Sequence, residues 1–166
     1  MADTVAGAVP YRTAADLVAD LARLAAQIGE TPRVLAKINE STGRVVDFLS
    51  VQPAVKEVYW ALRGESCGNY YRLARSPQSV GGMISFTLRI PLERFYDRLR
   101  LAKGPSFGMK TTLICPFMYL AHYDLVTTPA GRAELAASGI EPDLLRLCVG
   151  TEPVEEIIAA LAEALR

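Results

Sequence analysis

The chain has 166 residues, of which 51% are hydrophobic and 22% are charged, a size and composition typical of one globular domain and not of a disordered segment. Its 18 basic and 18 acidic residues give a net charge of zero, so neither nucleic acid nor an anionic membrane is expected as a partner. No apolar run reaches the roughly 18 to 20 residues that cross a bilayer, and the start Met1-Ala2-Asp3 lacks the basic residues of a signal peptide, which predicts a cytoplasmic protein.

Three cysteines, Cys67, Cys115 and Cys148, are odd in number and far apart in the sequence. This spacing fits neither a disulfide framework nor a zinc-ligand pattern. We therefore expect reduced, partly buried thiols and no metal site.

The first predicted helix begins after Thr13. Thr13 and Asp16 have the spacing of a capping box with Asp in place of Glu, and the helical pattern ends at Gly29. Its apolar stripe consists of Leu17, Leu21, Leu24 and Ile28. The preceding residues 1–12 are rich in Ala and are expected to be flexible.

A second, longer helix is predicted to begin at Thr31-Pro32, an N-cap and N1 pair, and to end before Pro53. Gly43 lies within it and costs about 1 kcal/mol relative to Ala, which indicates a kink or a close packing contact at that position.

The rest of the chain alternates between strand and helix patterns. Apolar runs predict four strands, Val55–Trp60, Met83–Ile90, Thr111–Cys115 and Leu144–Val149. The stretch Arg63–Ser79 contains Gly and Pro and is predicted to be a loop. Helices are predicted from Pro91 to Ala102, from Thr128 to Gly139, and in the C-terminal segment, where Thr151 is the predicted cap and Glu152, Glu155 and Glu156 favour the positive N-terminus.

This order of elements predicts an α+β fold, with a mainly antiparallel sheet of about four strands and helices on one face. Residues 13–166 are expected to form a single domain. Within it, residues 13–50 form a helical N-terminal part and residues 54–166 a sheet-and-helix core.

Few residues are candidates for chemistry. His122 has no obvious nucleophile as a partner and is interpreted as structural. Arg146 lies in an otherwise apolar strand, where its guanidinium needs a carboxylate, a phosphate or a cluster of carbonyl groups. From the residues alone, an internal salt bridge is the favoured explanation, and an anionic ligand is the alternative.

Five segments occur in an order that is typical of one enzyme family: Val55–Tyr59, Gly81–Phe86, Lys103–Gly108, Thr112–Pro116 and Leu145–Glu152. Through them, the chain from about Leu35 to Arg166 resembles the C-terminal domain of the Cys/Met metabolism (trans-sulfuration; cystathionine γ-synthase/γ-lyase-like) family of pyridoxal-phosphate (PLP) enzymes. The resemblance implies the fold of the small C-terminal domain of fold-type I PLP-dependent transferases.

The resemblance also implies two substrate-binding residues. Arg146 is similar to the arginine that binds the substrate α-carboxylate as a bidentate pair, which makes the salt bridge the minority interpretation. Ser106 is similar to a serine near the catalytic lysine and the substrate. The sequence departs from the family pattern at Gly108–Thr112, where many members have Gly-Gly-x-Glu-Ser, and the substrate specificity is left open.

The family's Schiff-base lysine has no counterpart among Lys37, Lys56, Lys103 and Lys110, because none has the family's surrounding residues. The resemblance therefore implies no catalytic residue and no cofactor in this chain alone, and PLP only when a catalytic partner domain completes the site.

Three interpretations follow: one half of a split PLP enzyme that needs a catalytic-domain partner chain, a non-catalytic amino-acid-binding or oligomerisation module, or a fragment of a complete enzyme. The apolar stripe of the first helix needs a surface to cover it, either the domain's own exposed face or a second copy of the chain, and a homo-oligomer is the prediction.

Overall fold

The computed structural model of the protein describes residues 13–65 and 67–166. The predicted flexible segment 1–12 lies outside these residues. The chain divides into two compact units, one ending at Arg33 and the other comprising Val34–Arg166. No helix in the described part of the chain is long and apolar enough to span a membrane.

The first unit contains helix α1 (Ala14–Ile28), which starts as the sequence predicts. The Thr13 N–H donates to Asp16 Oδ2 over 2.9 Å, and the Asp16 N–H donates to Thr13 Oγ1 over 3.3 Å. This reciprocal pair is the predicted capping box. None of the residues of α1 is buried.

Helix α2 (Thr31–Ser50) confirms the second predicted helix. Its inner face includes Ile38, Val45 and Leu49. The prediction of close packing at Gly43 is wrong, because a Cβ added there would have no neighbour within 4 Å.

The remaining elements form a sheet and shorter helices. In chain order they are β1 (Val55–Tyr59), α3 (Cys67–Leu73), β2 (Met83–Leu88), α4 (Leu92–Arg98), β3 (Ala102–Lys103), β4 (Leu113–Pro116), α5 (Phe117–Ala121), α6 (Tyr123–Thr127), α7 (Pro129–Ala137), β5 (Leu145–Cys148) and α8 (Val154–Ala164). Within the described residues the strand order is β1-β2-β5-β4-β3.

The α+β class is confirmed, but the prediction of a mainly antiparallel sheet of about four strands is wrong. The sheet is mixed and has five strands in the described part of the chain, because β3 pairs in parallel with β4 through Ala102 and Lys103. The predicted helix from Pro91 to Ala102 ends at Arg98, and its last predicted residue belongs to β3.

Two other predictions need correction, and two short helices were missed. The predicted loop Arg63–Ser79 contains α3, which buries none of its described residues and therefore has no apolar stripe to reveal it. The short helices α5 and α6 were not predicted. Thr151 does not cap α8, since the N-cap position is Pro153 and the Thr151 hydroxyl donates to the Lys110 carbonyl over 3.0 Å.

The two faces of the sheet have different surroundings. Ile84, Leu147 and Ile114 form one cross-strand row and are completely buried, together with apolar residues of α2, α4 and α8. Because side chains alternate along a strand, the neighbouring positions face the opposite side. That opposite side carries Arg146, so the core fixes the direction in which the arginine points.

Candidate functional site

Arg146 stands in the middle of β5 between the buried Leu145 and Leu147 and is itself half-buried. It pairs with Ser85 of β2 on one side and with Cys115 of β4 on the other. The guanidinium therefore emerges from a central strand, where the backbone is held by hydrogen bonds on both sides.

Two aromatic rings lie against the guanidinium. Its central carbon is 4.6 Å from the centre of the Phe117 ring and 5.2 Å from that of Phe107. Arg146 also donates to the Pro105 carbonyl. Cation–π contacts of this kind hold the guanidinium in place without neutralising its charge.

No carboxylate of the described residues forms an ion pair with Arg146, so the salt-bridge explanation has no support in this part of the structure. A guanidinium has five N–H donors in a planar fork. The contacts with protein groups leave N–H donors for a further acceptor, and a carboxylate matches the fork as a bidentate partner.

The Cys115 thiol lies beside the guanidinium. Burial raises the pKa of this thiol, while the charge of Arg146 and its hydrogen bond to the sulfur lower the pKa in part. Cys115 and Cys148 are buried, Cys67 is half-buried and all three are free thiols, as predicted.

The segment Gly104–Thr112, here called the site loop, connects β3 to β4. Its Gly104 N–H donates to the Ile114 carbonyl over 3.0 Å, and its Gly108 N–H contacts the Cys148 sulfur at 3.4 Å. Gly108 has φ +71°, a backbone conformation that favours glycine.

Ser106 lies in the site loop and is exposed. The residues on either side of it, Pro105 and Phe107, both contact Arg146. The structure thus places the two predicted substrate-binding residues in the same region. Sequence reasoning missed Phe117, which has no polar chemistry to mark it.

Sequence reasoning also missed the contact that holds the end of the site loop. Glu152 accepts hydrogen bonds from the backbone N–H and the hydroxyl of Thr112, over 2.6 and 2.8 Å. The pattern of acidic residues suggested a helix N-terminus, whereas Glu152 precedes the helix and contacts a segment 40 residues away.

The same face of the sheet continues away from Arg146 into an open groove. Tyr59, Met83 and Ser85 line the groove, and Trp60 borders it. The His122 ring lies 6.0 Å from that of Phe117 in an edge-on arrangement. His122 therefore contacts a ring that touches Arg146.

The lysines do not fit a PLP site. Lys37 and Lys56 are paired with glutamates, Lys103 lies over the Tyr96 ring at 4.8 Å, and Lys110 is on the exposed site loop. A Schiff-base lysine needs a pocket that desolvates its amine, whereas Lys56, Lys103 and Lys110 are exposed and Lys37 is half-buried. The surroundings of the four lysines therefore do not fit a Schiff base with PLP.

Known proteins resemble this chain over most of its length. An L-2-amino-4-chloropent-4-enoate dechlorinase/desaturase of Streptantibioticus cattleyicolor is 40% identical over 158 residues, which is 95% of this chain and 30% of that protein. A cystathionine gamma-synthase of Escherichia coli is 32% identical, over 99% of this chain and 46% of the relative. The chain thus spans less than half the length of either relative.

Solved structures of similar proteins share the fold. The cystathionine gamma-synthase of Xanthomonas oryzae pv. oryzae in complex with cystathionine matches with a TM-score of 0.67 and 26% identity, over 82% of this chain and 35% of that one. The family model described as Cys/Met metabolism PLP-dependent enzyme matches residues 10–166. The chain therefore belongs to the Cys/Met metabolism family of PLP-dependent enzymes.

Proposed function

We propose that this chain acts as a C-terminal, substrate-carboxylate-binding domain of a trans-sulfuration enzyme and works with a partner chain that carries the PLP lysine. The observation that carries the proposal is the guanidinium of Arg146, which two aromatic rings and a carbonyl group frame while no carboxylate of the described residues pairs with it. An amino-acid carboxylate is the ligand that this arrangement fits best.

Ser106 is proposed as a second contact for the amino acid, because its neighbours Pro105 and Phe107 both contact Arg146. The names of the relatives support an amino-acid ligand, since they specify an L-2-amino acid and cystathionine. The reaction proposed for the completed site is elimination or replacement at the side chain of a Cys- or homoserine-type amino acid, with PLP supplied by the partner. The free thiols suit the predicted cytoplasmic location.

Calorimetry with L-methionine, L-cysteine and L-homoserine tests the carboxylate site. Arg146→Ala should weaken binding at least about tenfold, because the charge-assisted bidentate pair is lost. Arg146→Lys should recover only part of the affinity, since an ammonium cannot make the planar pair. The methyl ester of L-methionine, which has no carboxylate, is the matched ligand control. Equal binding of the ester and the free acid would contradict the proposal.

Co-expression with the neighbouring reading frames tests the partner. A complex that shows yellow PLP absorbance and turns over an amino acid, while the Arg146→Ala complex keeps the colour and loses turnover, is the expected result. A stable yellow complex with undiminished activity in Arg146→Ala would contradict the assigned role.

A non-catalytic amino-acid-binding module is the second candidate, and the exposure of Lys56, Lys103 and Lys110, together with the half-buried position of Lys37, favours it. Amino-acid binding that depends on Arg146, without a PLP-carrying partner, would identify this function. The intact mass of the chain from its native source separates both candidates from a fragment of a complete enzyme.

A further inference from the structure

We infer that Glu152 is a positioning residue for the Arg146 site, which it serves by holding the site loop in the conformation that frames the guanidinium. The inference rests on the proposed function, since amino-acid binding is the property that Glu152 would control. It assigns Glu152 a part in ligand binding although the carboxylate does not touch Arg146.

The carboxylate of Glu152 accepts two hydrogen bonds from Thr112. Oε1 accepts the Thr112 N–H over 2.6 Å and Oε2 accepts the Thr112 hydroxyl over 2.8 Å. The same hydroxyl oxygen accepts the N–H of Gly150 over 2.9 Å. Thr112 is only 1% exposed, so these bonds are shielded from water and are stronger than at the surface.

Glu152 has no lysine or arginine partner among the described residues. By contrast, Glu155 pairs with Arg44 over 2.8 Å. The carboxylate of Glu152 therefore binds Thr112, at the end of the site loop. It does not cap α8 either, because it precedes the N-cap residue Pro153.

A second contact joins the same part of the site loop to the segment between β5 and α8. The Lys110 carbonyl accepts the Thr151 N–H over 2.7 Å. The backbones approach so closely that a Cβ on Gly150 would lie 2.4 Å from the Lys110 carbonyl oxygen and 2.5 Å from Glu152 Oε2. Only glycine fits such an approach without a shift of the loop.

These contacts connect Glu152 to Arg146 along one short segment. The site loop is held at Gly104 by the Ile114 carbonyl, at Gly108 by the Cys148 sulfur, at Lys110 by Thr151 and at Thr112 by Glu152. Between the Gly104 and Gly108 contacts, Pro105 and Phe107 contact the guanidinium. The Glu152 contact is the only one of the four that uses a charged group, and its loss would loosen the C-terminal half of the loop and shift the groups that orient the N–H donors of Arg146.

The test compares Glu152→Ala with the wild type for binding of L-methionine by calorimetry. We expect affinity to fall about tenfold, which is the effect of losing a charge-assisted hydrogen bond that orients the site. Glu152→Gln keeps an oxygen acceptor for the Thr112 N–H and should recover part of the affinity. Glu156→Ala, an exposed glutamate in the first turn of α8, is the matched control and should bind as the wild type does.

A second measurement does not depend on ligand binding. Arginine modification by phenylglyoxal, mapped by peptide mass spectrometry, should proceed several-fold faster at Arg146 in Glu152→Ala, with Arg23 as an exposed internal reference. If the wild type binds no amino acid, the proposed function fails, and this rate alone decides whether Glu152 positions Arg146.

Two results would overturn the inference. The first is that Glu152→Ala changes neither the affinity for L-methionine nor the rate of Arg146 modification. The second is that both change, but amide hydrogen exchange shows an equal loss of protection throughout the chain. If the alanine variant does not fold, Glu152→Gln decides by the same criteria. In that case, an Arg146 modification rate in Glu152→Gln equal to that of the wild type would contradict the inference, because this substitution removes one of the two oxygen acceptors for Thr112.

Discussion

At the scale of single residues, the surroundings of Arg146 show how a guanidinium charge is held in place with no counter-ion among the described residues. The Phe117 and Phe107 rings lie against the guanidinium, and the Pro105 carbonyl accepts a hydrogen bond from one of its N–H groups. Cation–π contacts contribute about 0.5 to 2 kcal/mol, depending on how far they are shielded from water. The half-buried Phe117 ring should therefore matter more than Phe107, which is 62% exposed.

Replacement of these two rings tests this difference. Phe117→Leu should weaken amino-acid binding about fivefold, because the leucine keeps the packing but loses the ring face. Phe107→Leu should have a smaller effect. Calorimetry on both variants measures the difference, and a larger loss in Phe107→Leu would show that the loop ring is the dominant contact.

The three thiols should differ in reactivity. Burial raises the pKa of Cys115 above its ordinary value, and the opposing effect of Arg146 is smaller. The thiolate is the reactive species, so Cys115 should be alkylated slowly at neutral pH and faster only as the pH rises through this raised pKa. Cys67, which is not buried, should react first.

Iodoacetamide labelling of the native protein, followed by peptide mapping, measures this order. The raised pKa also sets how Cys115 contributes to stability. Because the pKa of this thiol is higher in the folded than in the unfolded chain, its contribution to the free energy of unfolding is fully present below the unfolded pKa. The contribution is lost as the pH rises from the unfolded towards the folded pKa. Preferential labelling of Cys115 at pH 7 would disprove the order.

At the scale of elements, the space around two glycines distinguishes an open helix surface from a close contact between two backbone segments. A Cβ on Gly43 of α2 would have no heavy atom within 4 Å, whereas a Cβ on Gly82 would lie 2.8 Å from the Val149 carbonyl oxygen. The Gly82 carbonyl also accepts the Val149 N–H over 2.8 Å. The start of β2 is therefore pressed against the end of β5.

Alanine substitutions at these positions should have opposite effects. Gly43→Ala should stabilise the protein by about 0.5 to 1 kcal/mol, because alanine loses less conformational freedom in a helix. Gly82→Ala should destabilise it by about 1 to 3 kcal/mol through overpacking. Chemical unfolding followed by circular dichroism measures both, and a destabilised Gly43→Ala variant would contradict the open space at α2.

At the scale of the whole molecule, the core belongs to one unit. Every residue of the main hydrophobic cluster, from Val45 to Ala164, lies in the unit that begins at Val34. In α1, by contrast, Leu21 is 56% exposed and Leu24 is 52% exposed. The predicted homo-oligomer depends on these side chains and stays a prediction.

Charged substitutions in α1 test that prediction. Leu21→Glu with Leu24→Glu should shift a self-associating protein towards the monomer, because the apolar stripe loses its hydrophobic contribution. Sedimentation velocity measures the mass, and an unchanged melting temperature serves as the control for folding. An unchanged oligomer would exclude this face of α1 as the contact.

The sequence by itself determined the elements whose signals are local. The capping box at Thr13, the Thr128-Pro129 start of α7 and the apolar runs of β2 and β5 depend on residues a few positions apart. Ordered motifs around Ser106 and Arg146 were enough to indicate the family, which the match over residues 10–166 confirms.

Only the tertiary structure decided the features that depend on distant residues. The two residues of β3 are too few to show a period, and their parallel pairing makes the sheet mixed. Phe117 contacts Arg146, 29 residues away in the chain, and Glu152 contacts Thr112, 40 residues away. Such contacts depend on strand order and loop path, which a local pattern of residue types does not encode.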